Sequence, residues 1–150
     1  MITINTPQDP LSRLAIAIFH AHGLLLRNGD RLTKELGQSS ARWQILGSIS
    51  QESQTVASIA KRIGHARQSV QRIADVLVKD NLATYAINPA HKRARLLVLT
   101  PQGVLVLNDI YTQNAAWTKR MLTKLDEQQV AELAYQLELA TAILEKDEQH

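Results

Sequence analysis

Two clusters of hydrogen-bond donors and positive charge lie close together in this chain. Arg67, Gln68, Ser69, Gln71 and Arg72 form the first, and His91, Lys92, Arg93 and Arg95 the second. An arginine guanidinium can bridge O6 and N7 of guanine, and a glutamine amide can make two bonds to adenine. A serine hydroxyl, with the open N–H groups of a helix's first turn, suits a phosphate. Arginines on a hairpin tip suit phosphates or a narrow minor groove. The chemistry on offer is therefore recognition of a polyanion with readable base edges. Charge distribution agrees. Residues 61–95 carry eight Lys/Arg against two acids, a local net of +6, whereas residues 121–150 carry two bases against seven acids, a net of −5. A basic middle attracts nucleic acid and an acidic tail does not. Either cluster alone would also fit a solvated surface, so the elements that carry them decide its meaning.

Those elements read as a helix pair followed by a hairpin. Thr55 can cap the segment VASIAKRIG, in which Val56, Ile59, Ala60 and Ile63 share one face and Gly64 marks the end. Ala66, Val70, Ile73, Ala74 and Leu77 make a second one-sided stripe, closed by Asn81. Helix, Gly-containing turn and second helix is the helix-turn-helix pattern, in which the N-terminal part of the second helix meets base edges. The periodicity then changes. Residues 84–88 (TYAIN) and 95–100 (RLLVLT) are rich in strand formers, with the basic run His91-Lys92-Arg93 between them. This is a wing, and its order after the second helix gives the two basic clusters their meaning.

Around this module the pattern is helical. Residues 1–10, with Pro7 and Pro10, read as an extended lead-in. Leu11, Ile18, Leu25 and Leu32 then recur every seven residues, with a kink or break expected near Gly23 or Asn28-Gly29. Gln38-Ser39-Ser40 restarts a short helix bearing Trp43, Leu46 and Ile49. Thr100-Pro101 opens another, running to about Lys124, and Asp126 with Gln129 resembles a capping box for a last one. The last helix has a broad apolar face (Val130, Leu133, Ala134, Leu137, Leu139, Ala140, Ile143, Leu144), which implies cover on more than one side. Trp43, Tyr111 and Trp117 read as core or pairing residues.

The expected architecture is mainly α with a small β-hairpin wing: a dimerisation helix in residues 1–36, a winged helix-turn-helix in 37–100, and dimerisation helices in 101–150. Other chemistries find little support. The chain has no cysteine, which excludes disulfides and thiolate sites. His20 and His22 point roughly 200° apart on a helix and cannot grip one ion. His65 and His91, at the ends of the basic region, could each add a pH-sensitive phosphate bond. Phosphate-binding loop and nucleophile-elbow motifs are missing, so neither an enzyme nor a cofactor is expected. No apolar run approaches the roughly 20 residues that span a bilayer. The expectation is a cytoplasmic protein without membrane association.

With these blocks in view, the chain resembles a MarR-type transcription regulator over nearly its whole length. The resemblance rests on ARWQILGSIS, TVASIAKRIGHARQSVQRIADVLVKDNL and NPAHKRARLLVLTPQG. It implies a homodimer paired through its N-terminal and last two helices. It also implies a pseudo-palindromic double-stranded operator, usually repressed, and in many relatives a small aromatic or phenolic effector that weakens DNA binding. By position, Ser69, Gln71 and Arg72 correspond to residues that meet bases and phosphates, and Arg93 to a wing arginine in the minor groove. The family often has Asp two residues before that arginine, where this chain has His91; the departure implies a wing that is held differently or is more mobile. The effector site has no comparable motif and stays unassigned. Two other readings fit the same residues: a winged module that binds protein, and a helical protein that binds a small molecule without reading DNA.

Overall fold

A computed structural model describes residues 9–148. In chain order the elements are α1 (Pro10–Thr33), a 3-10 turn (Lys34–Leu36), α2 (Ser40–Ser48), β1 (Gln54–Thr55), α3 (Val56–Ile63), α4 (Arg67–Lys79), β2 (Ala83–Ala86), β3 (Leu96–Leu99), α5 (Pro101–Leu122) and α6 (Glu127–Asp147). Contacts divide the chain into two compact units, one reaching to Tyr111 and the other starting at Thr112.

In the first unit, most helix ends follow from local chemistry. Asp9 caps α1 by accepting from Ser12 N–H at 2.8 Å, and Pro10 occupies a first-turn position where its missing N–H costs nothing. Pro10 therefore starts the helix instead of ending an extended lead-in; residues 1–8 of that lead-in lie outside the described residues. Ser39 caps α2 and Thr55 caps α3. Gly64, at φ 68°, ends α3, and His65 N–H returns to Ala60 O at 3.0 Å. Asn81 ends α4 in the left-handed region (φ 59°) that Asn tolerates better than most residues. Its N–H bonds Val78 O, and that of Leu82 bonds Leu77 O, which satisfies two carbonyls of the last turn.

The break expected in α1 is not there: the helix runs unbroken through Gly23 and Gly29 to Thr33. Gly29 is buried because α2 crosses at that point, and a Cβ there would overlap Ser40 Oγ. The close approach lets Ser40 Oγ donate to Leu26 O at 2.7 Å, and Ser40 N–H to Asp30 Oδ1 at 2.8 Å. The missing side chain serves a helix crossing, not a kink.

The sheet has three antiparallel strands in the order β1-β3-β2, one more than the expected hairpin. Gln54 faces Leu97 across β1 and β3, while Tyr85 faces Leu97 across β2 and β3. Beneath it, α2, α3 and α4 close around Ile45, Leu46, Ile59, Val70, Leu77 and Leu97, all fully buried. Thr100 locks the end of the wing to the end of α4. Its Oγ1 donates to Asn81 O at 2.6 Å and accepts from Gly103 N–H at 3.0 Å, capping α5. Gly103 is buried against Leu82, where a Cβ would overlap the carbonyl oxygen.

The second unit holds the end of α5 and all of α6. Asp126 caps α6 by accepting from Gln129 N–H at 2.8 Å, the first half of the expected capping box. No described residue of α6 is buried, and Leu133, Leu137, Leu139, Ile143 and Leu144 are exposed along it. On α1, in the first unit, Leu11, Leu14, Phe19, Leu24 and Leu25 are exposed as well. Both helices carry apolar faces that the single chain leaves in water.

Candidate nucleic-acid interface

The first-unit core fixes one face of α4 and leaves the other to solvent. Val70, Ala74 and Leu77 are buried, while Arg67, Gln68, Gln71 and Arg72 are exposed and Ser69 is half-buried. Ala66 precedes the helix and makes no side-chain cap, so the first-turn N–H groups are left to other partners. The short link from Gly64 to Ala66 sets this open end beside the sheet.

The wing tip is held from its base. Asn88 is buried, its Oδ1 accepts from Ala90 N–H at 3.0 Å, and its carbonyl accepts from His91 N–H at 3.2 Å. Ala94 N–H then bonds His91 O at 3.1 Å. The His91 side chain is exposed, and Asn88 orders a tip that lacks a carboxylate at residue 91. Lys92, Arg93 and Arg95 are exposed on it.

Helix and wing meet in one cleft. Arg67 and Gln71 from α4, Tyr85 from β2, and Arg93 and Arg95 from the wing line it, with Thr55 and Asp75. Three arginines and one aspartate thus line the same cleft. Gln68 and Arg72 lie on the adjoining open face of α4 with Val76 and Lys79. Lys92 and His91 stay outside the cleft.

Tyr85, which the residue pattern does not single out, ties the two halves together. Its hydroxyl donates to Asp75 Oδ1 at 2.7 Å and accepts from Gln71 Nε2 at 2.8 Å, and Gln71 Nε2 also donates to Asp75 at 3.0 Å. Arg95 sits over the Tyr85 ring, 4.7 Å from its centroid, a cation–π contact. Burial, and then the neighbouring Asp75 carboxylate, push the Tyr85 phenol up to about 12. Gln71 and Asp75 have the four-residue spacing of helix neighbours, which was visible in sequence; their partner on a strand was not. Among the described residues no group of three or more His, Asp or Glu could hold a metal ion.

A helix-turn-helix with a basic wing converging on one cleft invites comparison with known proteins. Residues 36–94 match the model of the MarR family. An uncharacterized protein of Mycobacterium tuberculosis (Rv2011c) is 38% identical over 118 residues, 79% of this chain and 82% of that protein. The chain belongs to the MarR family. Solved structures agree with this assignment. The transcriptional regulator PA3341 matches with a TM-score of 0.77 at 26% identity, over 89% of this chain and 98% of that one. Wild-type MarR from E. coli, in its apo form, matches in fold with a TM-score of 0.73 at 23% identity, over 89% and 98%. The mainly helical architecture with a small antiparallel sheet is thus the winged-helix fold of MarR proteins, and family and fold are those of transcriptional regulators, not of an enzyme. No helix among the described residues of this MarR-family chain is long and apolar enough to cross a membrane.

Proposed function

We propose that this MarR-family protein is a cytoplasmic homodimeric repressor that binds a pseudo-palindromic operator and is released by a small aromatic or phenolic effector. The observation that carries the DNA-binding part is the convergence of Arg67, Arg93 and Arg95 on one cleft, beside the open α4 face that bears Gln68 and Arg72. In this reading α4 enters the major groove, where Arg72, Gln68 and Gln71 choose bases, while Ser69 and the first turn of α4 hold a phosphate. Arg93 reaches the adjacent minor groove, and Lys92, Arg95 and Arg67 supply salt-dependent affinity, with His91 at the phosphate edge. The exposed apolar faces of α1 and α6 support pairing with a second copy, since contiguous apolar surface left in water marks an interaction site. The three-part division into pairing helix (1–36), reading module (37–100) and pairing helices (101–150) belongs to the same proposal. The effector rests on family resemblance, and its site is not assigned.

The test is retention of random genomic fragments by the purified protein, with each retained fragment titrated at two salt concentrations. A few palindromic fragments bound tightly with a steep salt slope are expected. Failure to retain DNA at low salt would overturn the proposal and favour a module that binds protein.

A further inference from the structure

Gln71 lies on the exposed face of α4, yet its amide nitrogen is already committed inside the protein. One primary amide offers two N–H donors and one carbonyl acceptor. Here Nε2 donates both to Asp75 Oδ1 and to the Tyr85 hydroxyl oxygen, at 3.0 and 2.8 Å. The amide has no reason to turn over. A carboxylate only accepts, so inversion would set Oε1 against Asp75. Tyr85 offers Oε1 no hydrogen either, because its single O–H goes to Asp75 at 2.7 Å. With the phenol pushed up to about 12, that hydrogen is in place at neutral pH. Only Oε1 of Gln71 is left to face a ligand, and it can only accept.

The major-groove edges answer this asymmetry in a definite way. Cytosine N4 and adenine N6 present amino donors, whereas guanine and thymine present acceptors at the corresponding edge. A glutamine with a free amide favours adenine by accepting from N6 and donating to N7 together. Deprived of its donors, it loses the second bond and with it the means to tell adenine from cytosine. We propose that Tyr85 and Asp75 are positioning residues that hold Gln71 as an acceptor-only reader, so that its operator position takes cytosine or adenine and rejects guanine and thymine. The inference rests on the operator-binding reading and adds a specificity rule to it. Tyr85 couples this reader to the wing as well, since Arg95 lies over the ring of the same residue.

The experiment is selection of binding sites from randomised duplex DNA with wild type, Gln71→Ala, Tyr85→Phe and Asp75→Ala. Tyr85→Phe keeps the ring beneath Arg95 and removes only the hydroxyl. In wild type, one position of each half-site is expected to take adenine and cytosine alike, with guanine and thymine depleted about five-fold, the worth of one net hydrogen bond. Gln71→Ala should flatten that position alone. Tyr85→Phe frees an N–H for adenine N7 and should turn the position to adenine over cytosine by about five-fold. Asp75→Ala also releases the Tyr85 O–H, so the amide is no longer held in one orientation and the depletion of guanine and thymine should be lost. A merely structural role would lower affinity for every site without moving one base preference. A Tyr85→Phe variant with the wild-type preference at that position would overturn the proposal. So would a wild type that already favours adenine alone there, or a Gln71→Ala variant with unaltered preferences. Absence of any enriched site with wild type would overturn the operator reading, and this one with it.

Discussion

Replacing Arg93 by alanine tests the wing arginine by charge alone. Arg93 is exposed and lines the cleft with Arg67 and Arg95, and among the described residues no carboxylate lies within ion-pair distance of it. Its charge is therefore unpaired among the described residues and is available to displace counterions from DNA. Each phosphate neutralised contributes about 0.9 to the slope of log affinity against log salt concentration. A dimer engaging both half-sites would lose about 1.8 units of slope in Arg93→Ala. Over a four-fold rise in salt, from about 50 to 200 mM, wild type should then lose about twelve-fold more affinity than the variant. Fluorescence anisotropy on a labelled operator duplex measures both slopes. The variant curve should lie lower at low salt and approach wild type as salt rises. Parallel slopes, whatever the offset, would refute the reasoning and assign Arg93 a role that does not depend on its charge.

Four further outcomes follow from the structure. Arg72→Ala should weaken operator binding by more than about 1 kcal/mol, the low end for a good bidentate base contact, and unchanged affinity on the operator would remove Arg72 from base reading. Gly103→Ala forces a Cβ against the Leu82 carbonyl, which is backbone and cannot swing away; urea unfolding at fixed protein concentration should show a loss of about 1–3 kcal/mol. The Tyr85 phenol stabilises the fold fully below about pH 10, its unfolded value, and that contribution should disappear as pH rises through about 12. The phenolate absorbance step missing from Tyr85→Phe should therefore lie near 12, and a step at the ordinary value would remove the bond to Asp75. Leu133→Glu, on the exposed face of α6, should shift sedimentation from dimer to monomer; a variant that stays dimeric would take Leu133 out of the pairing surface.

Much of this architecture is visible in the residue order, and the exceptions have physical causes. Thr55, Gly64, Asn81 and Thr100-Pro101 mark element ends by local chemistry, and each acts where its residue type indicates. Strand β1 escapes notice because two residues carry no periodicity, and Thr55 reads as a cap; it does both. Gly29 invites a break because an absent Cβ weakens a helix, but the same absence permits a close crossing, and only Ser40 in three dimensions distinguishes the two. At the site, Arg67, Arg93 and Arg95 were recognisable as a basic set, and the cleft shows which of the basic residues converge. Lys92 and His91 do not. Tyr85 is hidden in the sequence because its partners lie 10 and 14 residues away on α4.

Chemical footprinting of wild type, and of a variant lacking both Arg72 and Arg93, on a fragment retained from genomic DNA tests the central proposal most directly. Two protected major-groove segments, centred about one helical turn (roughly 34–36 Å) apart and lost in the double variant, are the expected result. Uniform, sequence-blind protection, or protection that survives loss of both arginines, would contradict operator reading by α4 and the wing.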